Sequence, residues 1–417
     1  MNILFFKRVS NLNSCRSFIK MTQEGIYNQL QTTMANNMYV RKYIIDIAFG
    51  IYFLCLVALP SITKSFSYQR QRHCCNRHQR GFICNNNSNS NSNSNNEDNS
   101  SSPIIIDGTK TAASIREELR EEISRIQELY DGTRPGLAVI LVGNRVDSAT
   151  YVRMKKKAAT EIGIHSIDVT LDETISEYDL LEEVEKLNND DQVHGILVQL
   201  PLPDHIDESK VLKAIKYEKD ADGFDATNIG NLCLRGGEPP LSIPCTPAGC
   251  IELLQRYNIE ISGKQCVVLG RSNIVGMPVS ALLQSCNGTV TVCHSRTKNI
   301  PEIIKRADIL IAAIGKAEFV KGEWLKPGVV IIDVGINDKA DSTKKRGYRL
   351  VGDVNYDEAV LKASAITPVP GGVGPMTIAM LMKNTVNLCR YSLGLSRLRL
   401  RDISYDGEYV NTTSTTA

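Results

Sequence analysis

The run Val267-Val268-Leu269-Gly270-Arg271-Ser272-Asn273-Ile274-Val275-Gly276-Met277-Pro278 passes from an apolar strand through a glycine turn into the start of a helix. Gly270 permits a tight turn and Gly276 a close backbone approach. The helix N-terminus beyond them offers unpaired N–H groups and the positive end of its dipole to a pyrophosphate. The spacing is not G-x-G-x-x-G, so the run by itself also fits an ordinary strand-to-helix turn. The next strand adds information. In a site built for NAD, an Asp or Glu about 20 residues on binds the ribose 2′-hydroxyl. Here that strand closes with Cys293-His294-Ser295-Arg296-Thr297, hydroxyls and a guanidinium instead of a carboxylate, and Arg271 lies in the first turn. A carboxylate repels a 2′-phosphate, whereas arginine pairs with it bidentately. NADP is therefore expected over NAD. His294 fits either a cofactor contact or a strand-end residue with no role.

A second constellation lies upstream. Ser148, Tyr151 and Lys155 are spaced by three and four, which on a helix sets a hydroxyl, an aromatic ring and an ammonium on one face. That face is either a site or a solvated surface continuing the charge run Lys155-Lys156-Lys157. Gln199 closes an apolar strand before Leu200-Pro201-Leu202-Pro203, the end at which α/β sheets bind ligands. Glu218-Lys219-Asp220-Ala221-Asp222-Gly223 is a carboxylate loop. Asp222 before Gly is a candidate ligand group, or an ordinary turn former.

The elements that must position these residues alternate. Ile104–Ile106 reads as a short strand, Thr111–Tyr130 as an amphipathic helix, Leu137–Val142 as a buried strand and Ser148–Ile162 as a helix. His165–Leu171 is a strand, Ser176–Leu187 a helix with Ser176 as its N-cap, and Gly195–Leu200 a strand. The alternation restarts with strands at Gln265–Leu269, Thr289–Cys293, Ile309–Ala313 and Val329–Asp333 and helices at Gly276–Cys286 and Ile300–Arg306. A Gly/Pro-rich stretch leads to a last apolar helix, Met376–Cys389. The expectation is an α/β protein with parallel sheets, the second unit doubly wound.

With 42% hydrophobic and 23% charged residues the bulk is globular, and a net charge of +2 gives no reason to expect nucleic acid. The twelve cysteines show no CxxC pair and no zinc spacing, so Cys266 and Cys293, inside apolar runs, read as buried free thiols. The first hundred residues have another texture. Tyr43–Pro60 is nearly all apolar behind Arg41 and Lys42, like a signal peptide or an anchor, although Asp46 weakens the anchor reading. Ser61–Asn96 holds no Asp or Glu but several Arg and Ser, like an organelle transit peptide. That order resembles the bipartite leaders of algae whose plastids lie inside extra membranes. Met34 and Met38 are alternative starts that bring the apolar run nearer the N-terminus. Asn85–Ser102 is an Asn/Ser-rich spacer. An organelle is expected, a plastid before a mitochondrion, and membrane attachment only if 43–60 is retained.

Six blocks occur in order: Gly143-Asn144-Arg145-x-x-Ser148-x-x-Tyr151-x-x-x-Lys155, Val198-Gln199-Leu200-Pro201, Lys219-Asp220-x-Asp222-Gly223, Pro244-Cys245-Thr246-Pro247, Gly270-Arg271-Ser272-x-x-Val275-Gly276-x-Pro278, and Thr367-Pro368-x-Pro370-Gly371-Gly372-Val373-Gly374-Pro375-Met376-Thr377. Together they resemble the bifunctional methylenetetrahydrofolate dehydrogenase/methenyltetrahydrofolate cyclohydrolase family, over about Ile104 to Leu393.

The resemblance implies an N-terminal α/β catalytic domain (104–241 with 376–395), a Rossmann-like NADP domain (242–375), a C-terminal helix returning to the first domain, and a polar tail at 396–417. It implies oxidation of 5,10-methylenetetrahydrofolate with NADP and hydrolysis of the methenyl product to 10-formyltetrahydrofolate. Lys155 becomes the catalytic lysine, since hydration and ring opening need a group that gives and takes protons. Gln199 orients it and Ser148 supports it. Tyr151 stacks on the folate ring and Asp222 accepts hydrogen bonds from the pterin. Val198, Leu200, Pro201, Gly372 and Val373 line the folate, and the 368–375 stretch walls the cleft, with a cis proline as one option. Thr246, Gly270, Arg271, Ser272, Val275, Gly276, Pro278, His294, Ser295, Gly335 and Ile336 hold the cofactor. No metal is implied, a homodimer is expected, and the formate–tetrahydrofolate ligase domain fused to some relatives is not. Two other readings differ from this one at definite points: a dehydrogenase that has lost the cyclohydrolase, and a folate-binding scaffold with a dead site. Lys155, Gln199 and Asp222 argue against both.

Overall fold

The computed structural model describes residues 102–398 except 144, 235, 236, 345 and 346. The leader, nearly all of the Asn/Ser spacer, and the tail beyond Leu398 lie outside the described residues. The chain enters β1 (Ile104–Ile105) and α1 (Gly108–Leu129), where the Asp107 carboxylate caps the helix by accepting the Lys110 amide at 2.9 Å. Then β2 (Gly136–Val142), α2 (Val146–Ile162), β3 (His165–Leu171), α3 (Glu177–Asn188) and β4 (Gly195–Val198) alternate. Ser176 caps α3 as its sequence suggests, its hydroxyl accepting the Asp179 amide at 3.1 Å. Two short helices, α4 (Glu208–Ala214) and α5 (Ala226–Cys233), lead to α6 (Cys245–Arg256). The second series is β5 (Gln265–Leu269), α7 (Gly276–Ser285), β6 (Thr289–Cys293), α8 (Ile300–Ile304), β7 (Ile309–Ala312) and β8 (Val329–Asp333). A hairpin of β9 (Asn337–Ala340) and β10 (Tyr348–Val351), the single-turn α9 (Tyr356–Ala359), β11 (Ala363–Ile366) and α10 (Val373–Ser392) complete it.

Two parallel sheets result. The first has the order β3-β2-β4. Its middle strand, Gly136-Leu-Ala-Val-Ile-Leu-Val142, is buried at every position, as a strand covered on both faces must be. The second has the order β1-β11-β8-β7-β5-β6. The chain turns from β6 on one side of β5 to β7 on the other, so the switch point lies at the C-terminal end of β5. One expectation needs correction. Residues from Ile104 onward were expected to build the folate half, yet β1 joins the second sheet, Ile104 opposite Ala365 and Ile105 opposite Ile366. An edge strand leaves a row of unpaired backbone groups, and the two isoleucines before Ile106 cover that row on β11. Ile106 itself is fully buried.

α10 joins the halves. It packs on α1, α2 and α6, with Met376, Met380, Leu381, Met382, Val386 and Leu388 all within the core. Each such side chain contributes roughly 1.5–3 kcal/mol relative to leaving it in water. Polar ties fix the register. Arg256 grips Glu118 through two bonds of 2.8 and 2.7 Å and pairs with the fully buried Glu252 at 2.7 Å. Lys383 reaches the same Glu252 at 3.5 Å, and Arg390 pairs with Glu122.

Candidate active site

α2 carries Ser148, Tyr151 and Lys155, and the structure sets them in different surroundings. Ser148 is buried, Lys155 half-buried and Tyr151 exposed at 44%. The solvated-face reading thus fails for Ser148 and Lys155. The Lys155 ammonium donates to Gln199 Oε1 at 2.9 Å. Gln199 sits just beyond β4, its backbone amide tied to Ile140 O. Its side-chain amide donates to Leu200 O at 2.9 Å, which leaves the oxygen as the atom facing Lys155. Val198 is buried in the sheet, Leu200 half-buried, Pro201 exposed, and the Leu200–Pro201 bond is cis.

Asp222 faces the same cluster. Burial raises its carboxyl to about 6, the Lys155 ammonium pulls it back and Asp220 pushes it up. The loop's shape comes from residues to which the sequence assigned no role. Asp220, 4% exposed, accepts the amides of Gly223 (3.0 Å) and Asp225 (2.8 Å) and the Asn228 side chain (2.8 Å). Asn384, on α10, donates to Ala221 O at 2.9 Å and Ile243 O at 2.8 Å. Gly223 has φ 75° and presses on the Ile243–Pro244 backbone, where a Cβ would meet the Ile243 carbonyl carbon at 2.7 Å. Only glycine combines that dihedral with that approach. Beneath, the Cys245 thiol lies 3.8 Å from Ala221 O and is pushed well up by burial, with Asp222 adding to the effect. It is therefore a protonated space filler. Asp220, Gly223 and Cys245 stand in the ordered blocks without a role, and Asn384 lies outside them; their buried polar partners lie up to 163 positions apart.

The Pro/Gly stretch closes the cleft at the start of α10. The Val369–Pro370 bond is cis, Gly372 is buried against Thr367 and Pro368, and Val373 enters the core. Thr246, in the first turn of α6, meets the Thr377 hydroxyl at 3.0 Å.

At the switch point Gly270 has φ 114°, and a Cβ there would overlap the Ala313 carbonyl oxygen. A Cβ on Gly276 would overlap the Gly270 carbonyl. The turn is thus a cradle emptied of side chains, with the N-terminus of α7 above it. Ser272 spends its hydroxyl inside that turn, accepting the amides of Val275 at 3.2 Å and Gly276 at 3.4 Å. Val275 is half-buried and Pro278 buried, packing the first turn of the helix. Arg271 and Ser295 are exposed beside the cradle. His294 has a local role: its Nδ1 accepts the Arg296 amide at 3.2 Å and its own amide donates to Thr297 Oγ1 at 2.9 Å, closing the turn that presents Ser295. Gly335 is buried, and Ile336 beside it is 46% exposed.

Known proteins are similar to this chain. The family model for the tetrahydrofolate dehydrogenase/cyclohydrolase catalytic domain matches residues 106–222, and that for its NAD(P)-binding domain matches residues 244–393. The chain is 60% identical over 283 residues to the bifunctional protein FolD 4, chloroplastic, of Arabidopsis thaliana, covering 68% of this chain and 78% of that one. The mitochondrial FolD 1 of the same plant is 52% identical, covering 69% and 81%. A crystal structure of the Trypanosoma brucei methylenetetrahydrofolate dehydrogenase-cyclohydrolase, complexed with NADP and an inhibitor, superposes with a TM-score of 0.68 at 46% identity, covering 70% of this chain and 99% of that one.

Proposed function

The chain belongs to the tetrahydrofolate dehydrogenase/cyclohydrolase family, and from that premise we propose how its residues divide the work. The protein is a methylenetetrahydrofolate dehydrogenase that uses NADP and a methenyltetrahydrofolate cyclohydrolase. It oxidises 5,10-methylenetetrahydrofolate to the 5,10-methenyl form and hydrolyses that to 10-formyltetrahydrofolate.

The 2.9 Å contact between Lys155 and an amide oxygen that Leu200 keeps in place carries the assignment of roles. Water adds to the methenyl carbon, and Lys155, in its neutral amine form, takes one proton from it. The bond from that carbon to N5 then breaks as the remaining hydroxyl proton leaves to solvent and the lysine returns its proton to N5, leaving the formyl group on N10. Gln199 fixes the amine's direction, and Ser148 stiffens the same helix face. Tyr151 offers its ring as a stacking surface, and Asp222 accepts from the pterin's N–H groups. Val198, Leu200, Pro201, Gly372 and Val373 shape the pocket's apolar walls.

The emptied cradle at Gly270 and Gly276 fits a pyrophosphate, and Arg271 with Ser295 fits a 2′-phosphate. Thr246, Gly335 and Ile336 would lie toward the nicotinamide. NADP, when bound, supplies the hydride acceptor, so the chain's own task in the oxidation is alignment. Ser272, Val275, Pro278 and His294 serve by holding the turns rather than by touching phosphate.

We place the boundary between the halves near residues 241–242, supported by the separate sheets that β2 to β4 and β5 to β8 build on either side of it, with β1 crossing to the second sheet and α10 returning to the first half. A homodimer is the expected assembly, to be read by light scattering. Delivery to an organelle, and to a plastid in particular, is supported by the acid-poor segment 61–96 and by the relative named chloroplastic, while another relative is named mitochondrial. A fluorescent protein carrying residues 1–103 tests this: exclusion from plastids overturns it, and retention at a membrane shows that 43–60 acts as an anchor.

The test of the roles is spectrophotometric. Lys155→Met should lower the cyclohydrolase by about 10²–10⁴-fold, the range of general acid–base catalysis, while the NADP dissociation constant stays put. Retention of hydrolysis by Lys155→Met would remove the lysine from its role.

A further inference from the structure

Two buried carboxylates lie behind the cofactor cleft. Asp353 is fully buried, and its carboxylate accepts three consecutive backbone amides, Ile314 at 2.7 Å, Gly315 at 2.9 Å and Lys316 at 2.8 Å, plus the Asn337 side-chain amide at 2.9 Å. Asp333, 4% exposed, accepts the amides of Gly335 at 2.9 Å, Asp353 at 3.0 Å and Val354 at 2.9 Å. Glycines make room: a Cβ on Gly335 would overlap the Asp353 carboxylate, and one on Gly352 the Asp333 carboxylate. The two side chains thus bind the loop after β7, the loop after β8 and the 352–354 segment into one unit.

These loops border the switch point. The loop after β7 begins at Ala313, whose carbonyl oxygen lies against Gly270 of the cradle. Gly315 within it has φ 66°, with nothing within 4 Å of where a side chain would stand, so Asp353 pulls its amide from one side while the other side is open. The loop after β8 presents Ile336. This large apolar side chain is 46% exposed, and both flanking residues are anchored, Gly335 to Asp333 and Asn337 to Asp353. Its Cδ1 points toward Gly374 of the Pro/Gly stretch, 3.7 Å from where a Cβ on that glycine would be.

We infer that Asp353, buttressed by Asp333, is a positioning residue for the dehydrogenase: it holds the 314–316 loop and Ile336 in the form that receives the nicotinamide half of NADP. This rests on the cofactor reading above. The device is a nest of successive N–H groups, a shape that elsewhere binds anions, occupied here by the protein's own carboxylate. The order of both loops is set during folding and is not drawn from the free energy of NADP binding. The cyclohydrolase chemistry, on α2 and the end of β4, makes no use of either loop.

That division gives the test its control. NADP dissociation constants, dehydrogenase kcat and KM, and cyclohydrolase rates are measured for the wild type, Asp353→Asn and Asn337→Ala. An asparagine turns N–H donors toward amide donors, and each buried group left unpaired costs enough for about a tenfold change or more. Asp353→Asn should therefore lower dehydrogenase kcat/KM for NADP at least about tenfold, with cyclohydrolase within about twofold of wild type. Asn337→Ala keeps the three backbone bonds and should raise KM for NADP roughly threefold, leaving hydrolysis alone. Equal losses in both activities, or unchanged NADP parameters, overturn the inference. If Asp353→Asn does not fold, Asn337→Ala decides by the same criteria. A wild type that hydrolyses the methenyl substrate but does not reduce NADP overturns the cofactor reading itself.

Discussion

The folate half and the dinucleotide half meet their ligands with different parts of the chain. On the folate side the proposed working groups are side chains already engaged: Lys155 on Gln199, Gln199 on Leu200 O, and Asp222 on a loop shaped by Asp220 and Asn384. On the dinucleotide side the surface is backbone. Gly270 and Gly276 leave it bare, and Arg271 and Ser295 stand exposed beside it. The reactions explain the contrast. Hydrolysis needs protons moved at fixed atoms, so an amine must be aimed before substrate arrives. In the oxidation the cofactor carries the chemistry, and the protein needs a correctly shaped surface.

Gly270→Val should break the contrast most sharply. Its φ of 114° is strained for any side chain, and the new atoms would displace the Ala313 carbonyl. Displacements near an ångström cost up to about 100-fold in rate. Dehydrogenase activity should fall by about that factor, with cyclohydrolase nearly intact. Parallel loss of both activities would show that the halves are not independent.

The folate side has a pH signature at a residue that faces Lys155. The Asp222 carboxyl is raised to about 6. Above that pH it is a carboxylate with acceptors only; below, it is protonated and cannot accept fully from the pterin's donors. Folate KM should therefore rise as pH falls through 6, by up to about tenfold per pH unit well below it. Asp222→Asn should be poor throughout and flat over that range. The linkage also acts on stability. A carboxyl raised on folding stabilises least when ionised, so its contribution is present below the unfolded value near 4 and lost as pH rises through 6. Asp222→Asn should then melt higher than wild type at pH 7.5, and by less at pH 5. A KM that ignores pH between 5 and 7 would remove Asp222 from substrate contact.

The same contrast decides what could be read from the sequence. Groups that do chemistry are short motifs on long periodic elements, so Lys155, Gln199, the Gly270–Gly276 turn and most strands of both sheets were legible. The absence of a carboxylate after β6 was legible as well, and Arg271 and Ser295 do stand exposed beside the cradle. Supporting groups were not legible. Asp220 stood in a block without a role, Asn384, Asp333 and Asp353 look like ordinary turn or helix residues, and the partners are separated by up to 163 positions. The joining of β1 to β11 was hidden for the same reason, since two isoleucines at a strand edge carry no label of their sheet. The helices α4 to α6 escaped because α4 and α5 are short and α6 begins within Pro244-Cys245-Thr246-Pro247, where two prolines obscure a helix start.

Asn384→Leu gives the smallest expected effect and the finest resolution. The side chain sits on the helix that returns to the folate half, and its amide ties the carbonyls of Ala221 and Ile243 together. Leucine is nearly isosteric but removes the bonds to Ile243 O and from the Ile243 amide and leaves Ala221 O with only the weak Cys245 thiol, at a cost of roughly 1–3 kcal/mol for each buried group left unpaired if nothing relaxes. Relaxation is available, because the Asp220–Gly223 loop can swing and carry Asp222 with it. The loss should therefore appear as weaker folate binding: KM for both folate substrates up about three- to tenfold, kcat changed less, and the NADP dissociation constant unchanged. A fall in melting temperature with KM unaltered would mean that Asn384 only holds the core, and that the Asp222 loop keeps its shape through Asp220 alone.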